Sequence, residues 1–284
     1  MNPMEPSDMV CWVEDAPENQ REFREAVHVI LSAITHDPDL RGSMVMKGGI
    51  LMGIRYRSLR FTSDIDFSSE ARLSDLDPGT IRKKLDSGMA LASTRFDYDI
   101  DCRVQSCKVN PPNRPEASFP SIELRIGHAY KGTPKHQRLM QGQSPSVVSI
   151  DFSLNERILE VESLKVDGGD DLRAYSLNDL VAEKIRSLLQ QVVRNRHRRQ
   201  DVFDLHMLLS NERDQMDLAA ILKSLKEKSS SRGIEVGMDS LNNPEIRLRA
   251  KEEYHTLSDE VAGPLPDFDE AYELLIAFYR SLPW

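Results

Sequence analysis

Cysteine is scarce in this chain: Cys11, Cys102 and Cys107 are the only three among 284 residues. None are spaced as Cys-x-x-Cys, so an all-cysteine zinc site and a disulfide framework are both excluded. Scattered thiols of this kind fit a reducing, cytoplasmic environment. Long apolar runs are also missing. Nothing approaches the roughly 20 residues that a spanning helix needs, so no membrane partner is expected. The stretch through Gln20 is acidic and has no basic segment leading into an apolar one, so it does not read as a signal peptide. Positive charge is in deficit, with a formal net charge of −9. That excludes a general basic coat for nucleic acid and confines any such contact to a local patch. The seven histidines show no His-Glu-x-x-His spacing. Gly-x-Ser-x-Gly, Walker A and Gly-x-Gly-x-x-Gly are absent too.

What is present suffices for a core. Apolar residues make up 39% and charged residues 29%, and the length suits one large domain or two modest ones. Residues 1–17 are polar and are expected to be loosely ordered. Phe23, Val27, Ile30, Leu31 and Ile34 recur at helical spacing within a helix from Glu18 to His36. A short strand, Ser43–Met46, leads into Lys47-Gly48-Gly49, and Ile50–Tyr56 reads as a helix. Phe61–Ser68 reads as a strand. Thr80–Gly88 reads as a short helix stopped by its glycine. Phe96–Val104 alternates as a half-buried strand. Residues 108–120 form a Pro-rich loop, Ile122, Leu124 and Ile126 mark another strand, and 131–146 reads as a polar connector. Val147–Ser153 is a strand, and Ile158–Val166 is compatible with one more. After Gly168-Gly169 the pattern turns helical: Ser176–Val193, Asp201–Leu209, Leu218–Lys226, Pro244–Leu257 and Phe268–Leu282, with 227–242 as a surface loop. Strands mixed with helices, then helices alone, predict an α+β chain. We place a mixed-sheet domain at 1–170 and a helical domain at 171–284.

The densest chemistry lies between Lys47 and Asp66. On a strand, Asp64 and Asp66 project to one face while Ile65 points into the core. Two carboxylates so placed suit a divalent cation such as Mg²⁺ or Mn²⁺, or two of them. Upstream, Gly48-Gly49 ends a strand and opens a helix, which reads as a phosphate cradle. Lys47 and Arg60 add positive charge, and Thr62 and Ser63 add hydroxyls. Together these features point to nucleoside-triphosphate chemistry. Asp97, Asp99 and Asp101 also alternate along one strand. No glycine turn precedes them, and three like charges on one face prefer water, so that row reads as a solvated edge.

Three further features each admit two readings. Asp151 lies on the polar face of Val147–Ser153. It either completes a metal site or acts as base on an incoming hydroxyl, or else it is an ordinary surface acid. Lys184 falls inside the apolar stripe of the helix 176–193. A lysine there either snorkels outward or meets an anion, because a buried unpaired ammonium is costly; the anion is a substrate phosphate or a structural partner, Asp201 or Asp204. In the same helix, Ser176 with Asp179 resembles a capping box. Arg194, Arg196, Arg198 and Arg199 form a basic turn that is either a solvated loop or a seat for a triphosphate or a nucleic-acid backbone. Arg199 is placed to neutralise Asp201 or Asp204.

On these residues the chain resembles the AbiEii/AbiGii-type nucleotidyltransferase toxins, which include the mycobacterial MenT toxins. The matching stretches are Lys47-Gly48-Gly49, Arg60-Phe61-Thr62-Ser63-Asp64-Ile65-Asp66-Phe67, the strand around Asp151, Leu180-Val181-Ala182-Glu183-Lys184, and Arg199-Gln200-Asp201-Val202-Phe203-Asp204-Leu205. The match spans roughly residues 20–210 and departs from the usual pattern in two places. Gly-Gly stands where many nucleotidyltransferases have Gly-Ser, and Thr62 stands where a serine often precedes the first aspartate.

The resemblance implies a polymerase-beta-like nucleotidyltransferase fold with flanking helices and a helical C-terminal part. It also implies Mg²⁺-dependent transfer of a nucleoside monophosphate from a nucleoside triphosphate (NTP), and a role as the toxin of a toxin–antitoxin or phage-defence system. The expected acceptor is RNA, such as the 3′ end of tRNA, docking near Arg194–Arg199, and a cognate antitoxin is the expected protein partner. Lys47, Thr62, Asp64, Asp66, Lys184 and an acid at Asp201 or Asp204 carry the implied site. Two rival readings keep the pocket: a kinase-like phosphotransferase, and a non-catalytic module that binds nucleotide or antitoxin.

Overall fold

Alternation of apolar and polar residues along the central strands builds the sheet. The structure, a computed structural model, describes residues 8–114, 116–167 and 169–284. Among these, the strands are β1 (Val45–Lys47), β2 (Asp64–Ser68), β3 (Ile100–Asn110), β4 (Ser121–Tyr130), β5 (Val147–Ser153), β6 (Val161–Leu164) and β7 (Leu172–Tyr175). They form one sheet in the order β3-β4-β5-β2-β1-β7-β6. β2–β5 and β1–β7 run parallel; β1–β2, β3–β4 and β4–β5 run antiparallel. The helices are α1 (Asp8–Glu14), α2 (Glu18–His36), α3 (Pro38–Ser43), α4 (Gly48–Arg55), α5 (Pro78–Ala92), α6 (Pro134–Met140), α7 (Leu177–Gln190), α8 (Arg199–Asn211), α9 (Leu218–Ser231), α10 (Pro244–Lys251) and α11 (Phe268–Arg280). No helix among the described residues is long and apolar enough to cross a membrane.

The chain divides into two units. The first runs up to Arg57 and includes Ser63–Glu156 and Glu162–Ala174; the second holds Ser58–Thr62, Arg157–Val161 and Tyr175–Trp284. In the first unit, one sheet face is apolar: Ile65, Phe67, Ile122, Leu124, Ile126, Ile150 and Phe152 are buried. α2 and α5 pack against this side of the sheet. The opposite face carries polar residues and is partly covered by α6 against β4, where a Cβ on Gly127 would lie 2.8 Å from Leu139; α4 packs on β1 and β2. In the second unit, the apolar stripe of α7, with Leu180, Val181, Ile185 and Leu188, is buried. α7 packs on α9, while α8 packs on α11.

Several expectations need correction. Part of residues 1–17 is ordered: α1 forms, Met9 and Val13 are buried, and the Arg24 guanidinium stacks 4.6 Å from the Trp12 ring. Residues 1–7 lie outside the described residues, as do Pro115 and Gly168. α5 continues past Gly88 to Ala92, because that glycine serves packing: a Cβ there would lie 3.0 Å from the Cβ of Ala33 on α2. The strand expected from Phe96 starts at Ile100. Phe96 and Tyr98 instead stack, with ring centroids 5.2 Å apart, and Asp99 takes φ +51°. The acids 97, 99 and 101 therefore share no strand face, and Asp101 pairs with Arg103 at 2.9 Å and His136 at 3.1 Å. The connector 131–146 contains α6, capped by Thr133. The strand β7 was unforeseen, being only four residues long. The capping box at α7 is half built. Ser176 accepts from the Asp179 N–H at 3.1 Å, but the Asp179 carboxylate pairs with the buried Lys228 at 3.0 Å.

Candidate active site

The sharpest local constraint sits where β1 turns into α4. Gly48 has φ +79°, a conformation that favours glycine. A Cβ there would collide with the Asp66 carboxylate, lying 2.7 Å from its Cγ. Only glycine lets the first turn of α4 lie against Asp66, where the positive end of the helix dipole favours a carboxylate. Lys47 precedes this turn in extended conformation. Its ammonium lies 3.9 Å from Glu156 Oε1, with both side chains largely buried.

Cross-strand register extends this corner into a row. Lys47 on β1 faces Asp66 on β2, Asp66 faces Asp151 on β5, Asp151 faces Glu123 on β4, and Glu123 faces Lys108 on β3. Residues directly opposite in register point to the same sheet face. The next row brings Asp64 opposite Ser149, and Ser149 opposite Arg125. Asp64 and Asp151 are exposed and Asp66 is half-buried. Ser63 donates to Asp64 Oδ1 at 3.3 Å. Asp64, Asp66 and Asp151 thus occupy one face on two adjacent strands, while Ile65, Phe67 and Ile150 are buried on the other.

In the second unit, α7 and α8 build a separate charged cluster. Lys184 donates to Asp204 Oδ2 at 2.6 Å and to Asp201 Oδ1 at 3.3 Å. The Arg60 guanidinium grips Asp204 with two hydrogen bonds of 2.9 Å. The backbone around Arg60 is held by a bridge to Val261 and by the Phe61 N–H donating to Glu260 O at 2.7 Å. Burial disfavours the charges of Lys184, Asp204 and Arg60, yet their pairing wins. The Lys184 ammonium is held above its ordinary range by Asp204 and Asp201. Asp204 is held below the ordinary carboxylate value by Lys184 and Arg60, and Arg60 is raised by Asp204. Arg60, Lys184 and Asp204 are thus all held in their charged forms.

The basic turn is less basic than its sequence implies. Arg198 lies 3.8 Å from Asp201, Arg199 pairs with Glu260 at 2.9 Å and His197 with Glu252 at 3.1 Å. Arg198, rather than Arg199, is thus the arginine beside Asp201. Arg194 and Arg196 are exposed.

The structure therefore brings Lys47, Gly48, Asp66, Asp64 and Asp151 together in the first unit, with Gly49 in the first turn of α4 and Ser63 beside Asp64. It brings Arg60, Lys184, Asp201 and Asp204 together in the second, whose segment Ser58–Thr62 also carries Thr62. Sequence reasoning missed Glu123 and Arg125, whose only signal is cross-strand register. It could not separate Glu156 from Asp151, because the Lys47 pairing that distinguishes Glu156 is a tertiary contact.

The donor set suits a hard divalent cation. It consists of oxygen-only carboxylates on registered strands, and Mg²⁺ commonly takes one or two carboxylates and completes its shell with phosphate oxygens and water. No three or more His, Cys, Asp or Glu side chains among the described residues form a group that could hold an ion by themselves.

A model of the family described as "Nucleotidyl transferase AbiEii toxin, Type IV TA system" matches residues 29–274. A search of curated proteins gave no match. The crystal structure of JHP933 from Helicobacter pylori is similar at TM-score 0.50 and 15% identity, covering 94% of this chain and 93% of that one. A putative nucleotidyltransferase from H. pylori is similar at TM-score 0.49 and 14% identity, covering 94% and 96%. MenT4, a nucleotidyltransferase toxin from Mycobacterium tuberculosis, is similar at TM-score 0.44 and 15% identity, covering 96% and 99%.

Proposed function

This chain belongs to the AbiEii family of nucleotidyltransferase toxins of type IV toxin–antitoxin systems, and on that premise we propose which reaction it performs and with which residues. The substrate is a nucleoside triphosphate and the acceptor a hydroxyl of RNA, such as the 3′ end of a tRNA. One observation carries the reading: Asp66 lies against the Gly48 turn and stands in register between Lys47 and Asp151.

The attacking oxygen forms a bond to the α-phosphorus while the bond from that phosphorus to the β-bridging oxygen breaks. Pyrophosphate leaves with the electron pair, and the hydroxyl proton passes to the Asp151 carboxylate and then to solvent. Lys47 and the first turn of α4 at Gly48-Gly49 hold triphosphate oxygens. The Ser63 and Thr62 hydroxyls donate to phosphate. Asp64 and Asp66 would hold Mg²⁺ or Mn²⁺ together with phosphate oxygens and water, and the ion would neutralise charge on the phosphates. Lys184 has three N–H donors; within the second unit Asp201 and Asp204 take two and fix the ammonium. Arg60 keeps Asp204 in place. RNA docks at Arg194 and Arg196, the exposed members of the basic turn. Catalysis here is positioning and charge neutralisation. The family implies a cognate antitoxin as the protein partner.

Incubation with each α-labelled triphosphate, Mg²⁺ and total RNA tests this. Label is expected in RNA, with one pyrophosphate released per transfer. Asp64→Ala should abolish both while leaving the circular dichroism spectrum unchanged. Transfer of γ-label would replace this reading with a phosphotransferase. Full activity in Asp64→Ala would remove the assignment of the carboxylates.

A further inference from the structure

Strand order divides the polar face into two flanks. Lys47 and the Gly48 turn lie on the β1 side of the carboxylates, and β4 and β3 lie on the other side. If triphosphate oxygens occupy the β1 flank, the attacking hydroxyl has to come from the β4 flank, because in-line displacement puts entering and leaving oxygens on opposite sides of the phosphorus.

Arg125 stands on that flank. It is two strands from Asp64 through Ser149, and two interstrand steps place the two backbones about 10 Å apart. Its side chain is exposed, and its register neighbours, Ser149 and Ser106, carry no charge. Glu123, two residues away on the same face, accepts from Asn110 at 3.0 Å and faces Lys108. Further along β4 the face closes. A Cβ on Gly127 would lie 2.8 Å from Leu139 and 2.7 Å from Ser144, and Ala129 is buried. Arg125 is therefore the last exposed side chain on β4 before this wall.

A polyanionic acceptor gains nothing from a face bearing Asp64, Asp66, Asp151 and Glu123 on a protein of net charge −9. It needs a local cation, and a guanidinium matches a phosphate with two parallel hydrogen bonds. We infer that Arg125 is an acceptor-binding residue: it holds a backbone phosphate of the RNA and thereby sets the attacking hydroxyl over Asp151. This inference rests on the nucleotidyl-transfer reading above.

The test titrates total RNA against the full-length protein with α-labelled triphosphate and Mg²⁺, at several salt concentrations, for wild type, Arg125→Ala, Arg125→Lys and Arg125→Glu. Arg125→Ala should raise KM for RNA about tenfold and lower the slope of log KM against log salt by about one. Arg125→Lys should restore most of both, and Arg125→Glu should be worse than alanine. Triphosphate affinity measured by calorimetry without RNA should not move. An unchanged KM and salt slope in Arg125→Ala, while wild type labels RNA, overturns this inference and spares the transfer reading. Equal loss of triphosphate affinity also overturns it. Label appearing on protein and not on RNA overturns the inference together with the choice of an RNA acceptor.

Discussion

At the scale of single residues, Gly48 carries the most geometry per atom. It combines a positive φ with a backbone approach to Asp66 that no side chain tolerates. Gly48→Ala is expected to cost about 1–3 kcal/mol of stability, the range for a non-glycine residue held in such a region. Urea unfolding reads the loss, and nucleotide transfer should fall more than tenfold because Asp66 is displaced. Gly88 looks similar in sequence, as a glycine near a helix end, but its role is contact with Ala33 rather than termination. The two glycines differ in backbone conformation, since only Gly48 has a positive φ, and in what lies across from them. Asp64 and Asp66 were legible because strand alternation alone puts them on one face. Glu156 was not, because its pairing with Lys47 joins residues far apart in the chain.

At the scale of elements, α7 and α8 hold a buried network of two cations and two carboxylates. Removing the central carboxylate leaves Arg60 and Lys184 facing each other with only Asp201 between them. Asp204→Asn is therefore expected to lose about 3–5 kcal/mol, the range for breaking a buried pair, with partial recovery in the Asp204→Asn, Lys184→Met double variant. The pH dependence follows from the directions of the shifts. Asp204 is lowered from 3.8, so its contribution is complete above that value and disappears as pH falls through the folded-state value below it. Lys184 is raised from 10.5, so its contribution is complete below that value and lost only at more alkaline pH. The stability gap between wild type and Asp204→Asn should be flat from pH 5 to 9, as read by chemical unfolding, and should shrink below about pH 4. The stripe of α7 leaves Lys184 either snorkelling outward or meeting an anion, with a substrate phosphate, Asp201 and Asp204 as candidates; the fold selects the two carboxylates. The grip of Arg60 on Asp204 is invisible in sequence, since 144 residues separate them.

At the scale of the whole molecule, charge governs which anions approach. With a net charge of −9, attraction to RNA has to come from exposed cations in local patches. Arg194 and Arg196 are such cations, whereas Arg198 and Arg199 face carboxylates. Arg194→Glu with Arg196→Glu should reduce RNA labelling about tenfold at low salt and leave triphosphate affinity unchanged, and the difference should narrow as salt screens both proteins. Labelling that survives the double reversal at full rate would move RNA docking away from this turn.

Local pattern alone determined the strands around Ile122–Ile126 and Val147–Ser153, the amphipathic helices, the paired acids at 64 and 66, and the glycine turn before α4. Each depends on spacing within one element. Tertiary structure decided which strands lie side by side, and hence that Asp151 rather than Asp101 joins Asp66. It also decided that Glu156 meets Lys47, that Arg60 holds Asp204, and that Arg125 shares a row with Asp64. Those facts depend on register between segments distant in the chain, and side-chain period along one strand contains no information about its neighbour.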